Sequence, residues 1–427
     1  MSRKVLVLLS ASIGVLTIAA CSEKLDAGRS CPLLCPQQAI SLSDTTIDAV
    51  IVDTTVLGLP PVGNETYLML ASHGDTLETR AIVRFDTLPQ SYTKSTIDSV
   101  ITHIDTATLV TPIAKPDSLR RPKVPVTIEA YNVDSVDVDS SGVVDTSTVI
   151  LGSLFRPDRF LGSKTFAPES LLDTLRIPIS TDSVLARVLK GTRLRIGFRV
   201  LSSASVDIRI GTAQSAGPVT LRIKASLDTA ASAVVVQPNS STPPGKTFVS
   251  GPLQDFTIVL KGQNTSRTNL LSVGGVPSRR TFLRFNVPSR IVDSTTIVRA
   301  SLLLTQVPNR LVNPRDSVFV YAQAVLASPV ITDISSALQF LSAPGAFGLD
   351  SISAAPSDSG VRSFEIVGLV RTWRGQPTTV SPRAVALLSA VEGQLPGEID
   401  FYSTKAPAGV RPRLRITYVP QTSYGLP

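Results

Sequence analysis

Side-chain catalysis needs an acid, a base or a nucleophile held in position, and this chain offers few. Its two histidines are His73, in the run Ala71-Ser72-His73-Gly74-Asp75, and His103. Ser72, His73 and Asp75 are the residue types of a hydrolytic triad, but adjacent residues of an extended strand point to opposite faces, so the three do not converge. His73 is expected on a hairpin and His103 within a strand. The eight glutamates are scattered, without the close carboxyl pairing that glycoside hydrolysis requires. The expectation is a protein that is not an enzyme.

Binding chemistry has more candidates. Asp137, Asp139, Ser141, Gly142 and Asp145 follow the oxygen-ligand and glycine spacing of a calcium loop. Calcium takes about six to eight oxygens, however, and Thr148 stands where a bidentate glutamate would close the loop. The alternative is a solvated acidic loop, and no other cofactor is expected. The sole tryptophan, Trp373, precedes Arg374 and Gly375 and offers a face on which a sugar could stack, although a lone Trp in a Val- and Leu-rich sandwich is equally a core residue. Tyr402 beside Phe401 carries the same two readings. Arg411, flanking Pro412 with Arg413, would meet an acidic polymer or face water, and Arg284 belongs to the outward face of its strand.

At the N-terminus, Arg3 and Lys4 precede an apolar run from Val5 to Ala20 that is short for a membrane span. With Ile18-Ala19-Ala20-Cys21 at its end, this segment resembles a bacterial lipoprotein signal peptide. The resemblance implies cleavage after residue 20, lipid on Cys21 and a place in the cell envelope, attached to the membrane through acyl chains. Ser22 is compatible with outer-membrane sorting; whether the protein faces the periplasm or the surface is left open. Outside the cytoplasm, Cys31 and Cys35 are expected to form a disulfide, since a zinc site would need ligands that the distant histidines do not supply.

The net charge is +8, and loss of residues 1–20 would lower it to +6 by removing Arg3 and Lys4. The basic residues are dispersed singly rather than gathered with aromatics, which argues against nucleic acid. A weak attraction to acidic polysaccharide or anionic headgroups is compatible with the excess.

A chain of 427 residues suggests two domains. Charged residues make up only 17%, and 31 prolines and 26 glycines punctuate runs rich in Val, Leu, Ile, Ser and Thr, the make-up of short strands joined by turns. Residues 180–191 carry the one good helical pattern. The fold expected is all-β, as two tandem jelly-roll-like antiparallel sandwiches. The segments are a leader over 1–20, a tether over 21–43, a first sandwich over 44–227, a linker over 228–246, a second sandwich over 247–419 and a tail over 420–427.

Internal repetition supports the duplication. Val83-Arg84-Phe85-Asp86 aligns without a gap with Leu283-Arg284-Phe285-Asn286, and at the same offset Thr96 and Ile97 fall on Thr296 and Ile297. Asn64, Leu70, Ser72 and Gly74 fall on Asn264, Leu270, Ser272 and Gly274, whereas near the ends Leu221, Arg222 and Ile223 answer Leu414, Arg415 and Ile416 at an offset shortened by loops. Alternation directs Leu283, Phe285 and Val287 inward, with Phe282, Arg284 and Asn286 outward. In the next strand it places Val298, Ala300, Leu302 and Leu304 on one side. The first copy would place Asp98, Val100, Thr102 and Ile104 there, with His103 opposite Leu303. Leu189 stands where the second copy has Trp373.

The second unit resembles the DNRLRE family of bacterial modules, which are similar to carbohydrate-binding jelly-roll sandwiches. The likeness rests on Leu283 to Asn286, the Ile297 to Leu304 strand, Val370 to Gly375 and the run from Phe401 to Tyr418, with Asn286 in place of the usual Asp and Lys405 in place of an acid. It implies a non-catalytic binding or adhesion module with polysaccharide as the ligand class. The competing expectation is a structural envelope lipoprotein that packs against other envelope proteins and binds no sugar.

Overall fold

The computed structural model describes residues 42–57, 63, 65–94, 96–114, 121–134, 148–215, 217–225, 231–239, 254–262, 268–310, 312–314, 316–326, 340–376 and 383–420. The first strands are β1 (Ser43–Ile47), β2 (Val50–Leu57), β3 (Tyr67–Ser72), β4 (Glu78–Phe85), β5 (Ser91–Lys94), β6 (Ile97–Val100), β7 (Thr106–Pro112) and β8 (Val126–Asn132). There follow β9 (Phe160–Phe166), β10 (Thr174–Ile179), β11 (Leu194–Ser202), β12 (Val206–Gly211), β13 (Thr220–Lys224), β14 (Val234–Val236), β15 (Asp255–Lys261) and β16 (Leu270–Gly274). The last are β17 (Arg279–Phe285), β18 (Thr295–Val307), β19 (Val318–Ala324), β20 (Ser351–Ala354), β21 (Gly360–Glu365), β22 (Ala384–Ser389), β23 (Glu398–Tyr402) and β24 (Arg413–Pro420). Helices α1 (Thr148–Ser153), α2 (Thr181–Lys190), α3 (Ser289–Val292) and α4 (Val367–Thr372) are short. The strands pair antiparallel, as expected for an all-β sandwich protein.

The strand orders display the duplication directly. One sandwich stacks the sheet β12-β3-β4-β11-β8-β9 on β10-β7-β13-β14. The other repeats both orders as β23-β16-β17-β22-β19-β20 and β21-β18-β24-β1. In the second sandwich β18 also pairs with β23 and joins the layers; among the described residues of the first, the bridge Ile113–Ile210 stands at that place.

Sheet membership departs from the expected boundaries at 44 and 247. β1 pairs along β24, and β2 pairs along β17, so the N-terminal strands close the second sandwich. Their counterparts in the first are β14, which lies within the expected linker and pairs with β13, and β15, which pairs with β4. Asp53 lies opposite Leu283 and Asp255 opposite Val83, so the two closing strands share one register. The first sandwich is thus continuous from β3 to β15. The second is built from β1–β2 and β16–β24, with the whole of the first inserted between them.

Cores fill the space between layers. Phe85 and Phe285 are buried, and Leu283 and Val287 share the inward face with Phe285 as alternation requires. Val298 does not: it is 45% exposed while Ile297 is buried, because a bulge between Ile297 and Arg299 inserts one residue and reverses the alternation. The match of Thr96 and Ile97 to Thr296 and Ile297 is also not structural. Ala107 and Leu109 oppose Ile223 and Leu221 as Ala300 and Leu302 oppose Ile416 and Leu414, so the offset has already shortened by β7. Ile97 and Val100 are exposed on the β5–β6 hairpin, Thr102 and His103 are exposed, and Ile104 is buried.

Helix α2 is capped by the Ser180 hydroxyl, which accepts from the Ser183 N–H at 3.2 Å, and it ends at Gly191 in the left-handed region. It buries Val184 and Val188, while Leu189, aligned with Trp373, points out.

Candidate functional site

The Val276 side chain packs with Met69, Ala71 and Leu77, bringing the turn after β16 against the β3–β4 hairpin of the other sandwich. Beside this contact lies a cleft of about 400 Å³ lined from both sandwiches, with His73, Arg121, Lys123, Asp207, Asn313 and Glu398 among its polar residues. Apolar wall comes from Leu77, Pro122, Val276 and Pro396.

His73 follows β3 and is held by its own turn, donating its backbone N–H to Leu77 O at 2.8 Å; Gly74 takes the left-handed conformation (φ 58°) that the reversal needs. Its partner is Asp207 rather than Ser72 or Asp75. Nε2 meets Asp207 Oδ1 at 2.7 Å, because β12 lies beside β3 and presents Asp207 on its outer face. That hydrogen bond raises the imidazole pKa against the opposing effect of burial. Asp75 points to solvent and pairs with Lys261 at 3.2 Å.

Glu398, on β23, receives Arg279 Nη1 on Oε2 at 2.6 Å, and both are buried. Its Oε1 is buried without a hydrogen-bond partner, and so is Arg121 Nε across the same cleft. The ion pairs His73–Asp207 and Arg279–Glu398 are internally compensated. Arg121 and Lys123 have no carboxylate partner among the described residues, so two uncompensated cations line this space. Behind Glu398 the second sandwich carries further buried polar pairs: Arg280 grips both oxygens of Glu392, and Ser272 donates to Asp400 at 2.6 Å.

The residues singled out from sequence do not gather here. Trp373 is fully buried against Phe285, with ring centroids 5.7 Å apart and Arg383 over the indole, so it cannot act as a stacking platform. The end of α4 points it inward to fill the volume between layers. Tyr402 is half-buried on β23, and half-buried Arg411 donates Nε to Ala406 O at 2.5 Å, which ties its own loop. Arg284 is half-buried on β17. Cys21, Cys31 and Cys35, and the acidic candidates Asp137, Asp139 and Asp145, lie outside the described residues.

Sequence reading missed Arg121, Asp207 and Glu398. Alternation in Val206-Asp207-Ile208 directs Asp207 outward, but only the strand order sets it beside His73.

Neither a family model nor a curated protein matches the chain. Among solved structures, the Macrobrachium rosenbergii nodavirus is 10% identical over 91% of this chain and 94% of its own, with a TM-score of 0.17. The infectious bursal disease virus Gx strain is 11% identical over 90% and 78%, with a TM-score of 0.14. Overlap at that level carries no inference about this protein.

Proposed function

We propose that the protein is a lipid-anchored cell-envelope module that binds without catalysis, with a glycan held in the cleft between its two sandwiches. The observation that carries this reading is one cleft lined from both sandwiches by cationic and carboxylate side chains, Arg121, Lys123, Asp207 and Glu398, beside apolar wall. A sugar hydroxyl both donates and accepts, so a hydroxylated ring can partner cationic donors and carboxylate acceptors of this lining alike, where a purely anionic or apolar ligand partners one kind or neither. The cleft also falls within the size range of small-ligand sites, and its apolar walls suit the C–H faces of a pyranose. Likeness of the second unit to DNRLRE modules and of residues 3–21 to a lipoprotein leader supports the ligand class and the anchor.

Affinity-gel retardation of the mature chain on a panel of neutral and acidic polysaccharides, with and without calcium, tests the binding. Retention by at least one polymer, lost in Arg121→Ala and Glu398→Gln, is expected; no retention on any polymer refutes the glycan reading. Mass spectrometry of the native N-terminus tests the anchor, and an unmodified Cys21 refutes it. A second reading, packing against other envelope proteins, is favoured by the outward apolar residues Ile51, Val52 and Leu57 on β2, each more than half exposed.

A further inference from the structure

The two closing strand pairs occupy equivalent places but are held differently. β14–β15 follow their own sandwich in the chain, and β15 buries Phe256 and Ile258. β1–β2 enter from the far end of the sequence and fully bury only Ala49 and Val50 among their apolar residues. Their attachment is chiefly backbone pairing, along β24 for β1 and along β17 for β2. Polar ties add to it: Asp53 accepts from Thr404 N at 2.6 Å and from Thr404 Oγ1 at 3.0 Å, and Asp44 pairs with Arg415 in solvent. β2 also sits against β16, where Thr55 Oγ1 accepts the Ser272 N–H at 3.1 Å.

Backbone pairing with little buried side chain is the kind of contact that opens locally, since it exposes little apolar surface. Opening strips the edges of β24 and β17, leaving rows of N–H and C=O groups that accept any strand of matching register. The sequence that matches is β1–β2 itself. Gly63, Glu65 and Thr66 are held on the first sandwich by Gln214 and Thr212, and the five residues between Leu57 and Gly63 span about 17 Å when extended, so β1–β2 can swing to another acceptor about that anchor. We infer that β1–β2 form an exchangeable clasp and that its acceptor edges take the same two strands from a second copy of this chain. Reciprocal exchange leaves neither acceptor edge open in either copy and closes as a dimer. Within one chain the clasp has the advantage of proximity, so exchange grows with protein concentration, as at a crowded surface.

Thr46 and Arg415 face each other across β1 and β24, and both are exposed. Full-length Thr46→Cys and Arg415→Cys chains are mixed under mild oxidation, and the linked peptides are identified by mass spectrometry. Expected is a disulfide between the two substituted positions joining two chains, in a fraction that rises with protein concentration. The doubly substituted chain, which links internally, controls for geometry. Its internal link without any interchain product at any concentration overturns the inference, and so does failure of the internal link. Hydrogen exchange of the unsubstituted protein gives an independent reading: β24 and β17 should exchange faster than their equivalents β13 and β4, and equal or slower exchange overturns the clasp.

Discussion

Asp255 should make the protein less stable as pH rises from about 4 towards neutrality, and the second sandwich shows how to cure it. Asp53 and Asp255 are equivalent, and each accepts a backbone N–H from the residue two beyond the neighbouring strand, Thr404 N at 2.6 Å and Ala213 N at 2.7 Å. Thr404 also donates its hydroxyl to the second oxygen of Asp53 at 3.0 Å. Ala213 has no hydroxyl, so Asp255 Oδ1 is buried and unpartnered. Burial pushes the Asp255 carboxyl up to about 7; the Ala213 N–H opposes this, and the Glu65 charge adds to it.

A raised carboxyl pKa means that the folded state holds its proton where the unfolded chain, at 3.8, has released it. Stability from this group is therefore full below pH 3.8 and declines as pH rises to about 7, by about 1.4 kcal/mol per unit and about 4 kcal/mol in all. Asp255→Asn keeps the shape and removes the titration, so its stability relative to the parent should rise across that window. Ala213→Thr adds a hydroxyl at a half-exposed position, and a hydrogen bond to a charged group contributes about 2 kcal/mol. The gain should appear at about pH 8, where Asp255 is ionised, and vanish at about pH 5. Urea unfolding followed by circular dichroism at both pH values measures it. A parent stability that Asp255→Asn leaves equally pH-dependent, or an Ala213→Thr effect of the same size at both pH values, refutes the reasoning.

Three further outcomes follow from the packing. Fragments cut along the sheets should behave unlike fragments cut along the repeat: residues 65–262 should fold alone, whereas 44–227, lacking β14 and β15, and 247–419, lacking β1 and β2, should not, as amide dispersion in NMR spectra will show. Trp373→Ala should cost about 3–5 kcal/mol in urea unfolding, and Trp373→Phe markedly less, because the buried indole Nε1 has no partner to lose. His73 has its folded pKa raised by Asp207, so the stability it contributes is complete below 6.5 and is lost as pH rises through the folded value. His73→Gln should accordingly destabilise more at about pH 6 than at about pH 9, and the reverse order would refute the pairing as a source of stability.

What the sequence reveals here is whatever depends on local period. Alternation places Leu283, Phe285 and Val287 in a core, and recurrence at a fixed offset exposes the duplicated hairpins around Phe85 and Phe285. Both fail where geometry changes by one residue or the partner is remote. The bulge at Val298 leaves no signature in its run of apolar residues, yet it reverses every side chain before it. Exchange of the closing strands is invisible because Val50–Leu57 reads as a strand whichever sheet it joins; pairing with β17 rather than β4 is decided by packing more than two hundred residues away. The same limit hides the cleft, since His73 finds Asp207 only through strand order, and Arg121 and Glu398 come from different sandwiches. Trp373 was conspicuous for its rarity, which says nothing about the direction in which α4 points it.

Circular rearrangement of the repeat bears on how the cleft is kept in shape. Because the first sandwich is inserted between β2 and β16, two connections join it to the second, and Val276 packs against Met69 and Leu77. Two connections and a packed contact restrict relative rotation more than the single linker of a tandem array, so the cleft walls are positioned before any ligand arrives. The same arrangement makes the clasp consequential. Opening β1–β2 leaves the sandwiches held by residues 262–269 and the Val276 contact, and loosens the wall that carries Glu398 relative to Arg121. Ligand binding that needs both residues should therefore stabilise the closed clasp. Conversely, if the cleft holds a glycan as proposed, a clasp fixed by the Thr46→Cys, Arg415→Cys link should bind it at least as tightly as the free protein. Weaker binding by the linked form would mean that the cleft must open to work, and would separate the closing strands from the site.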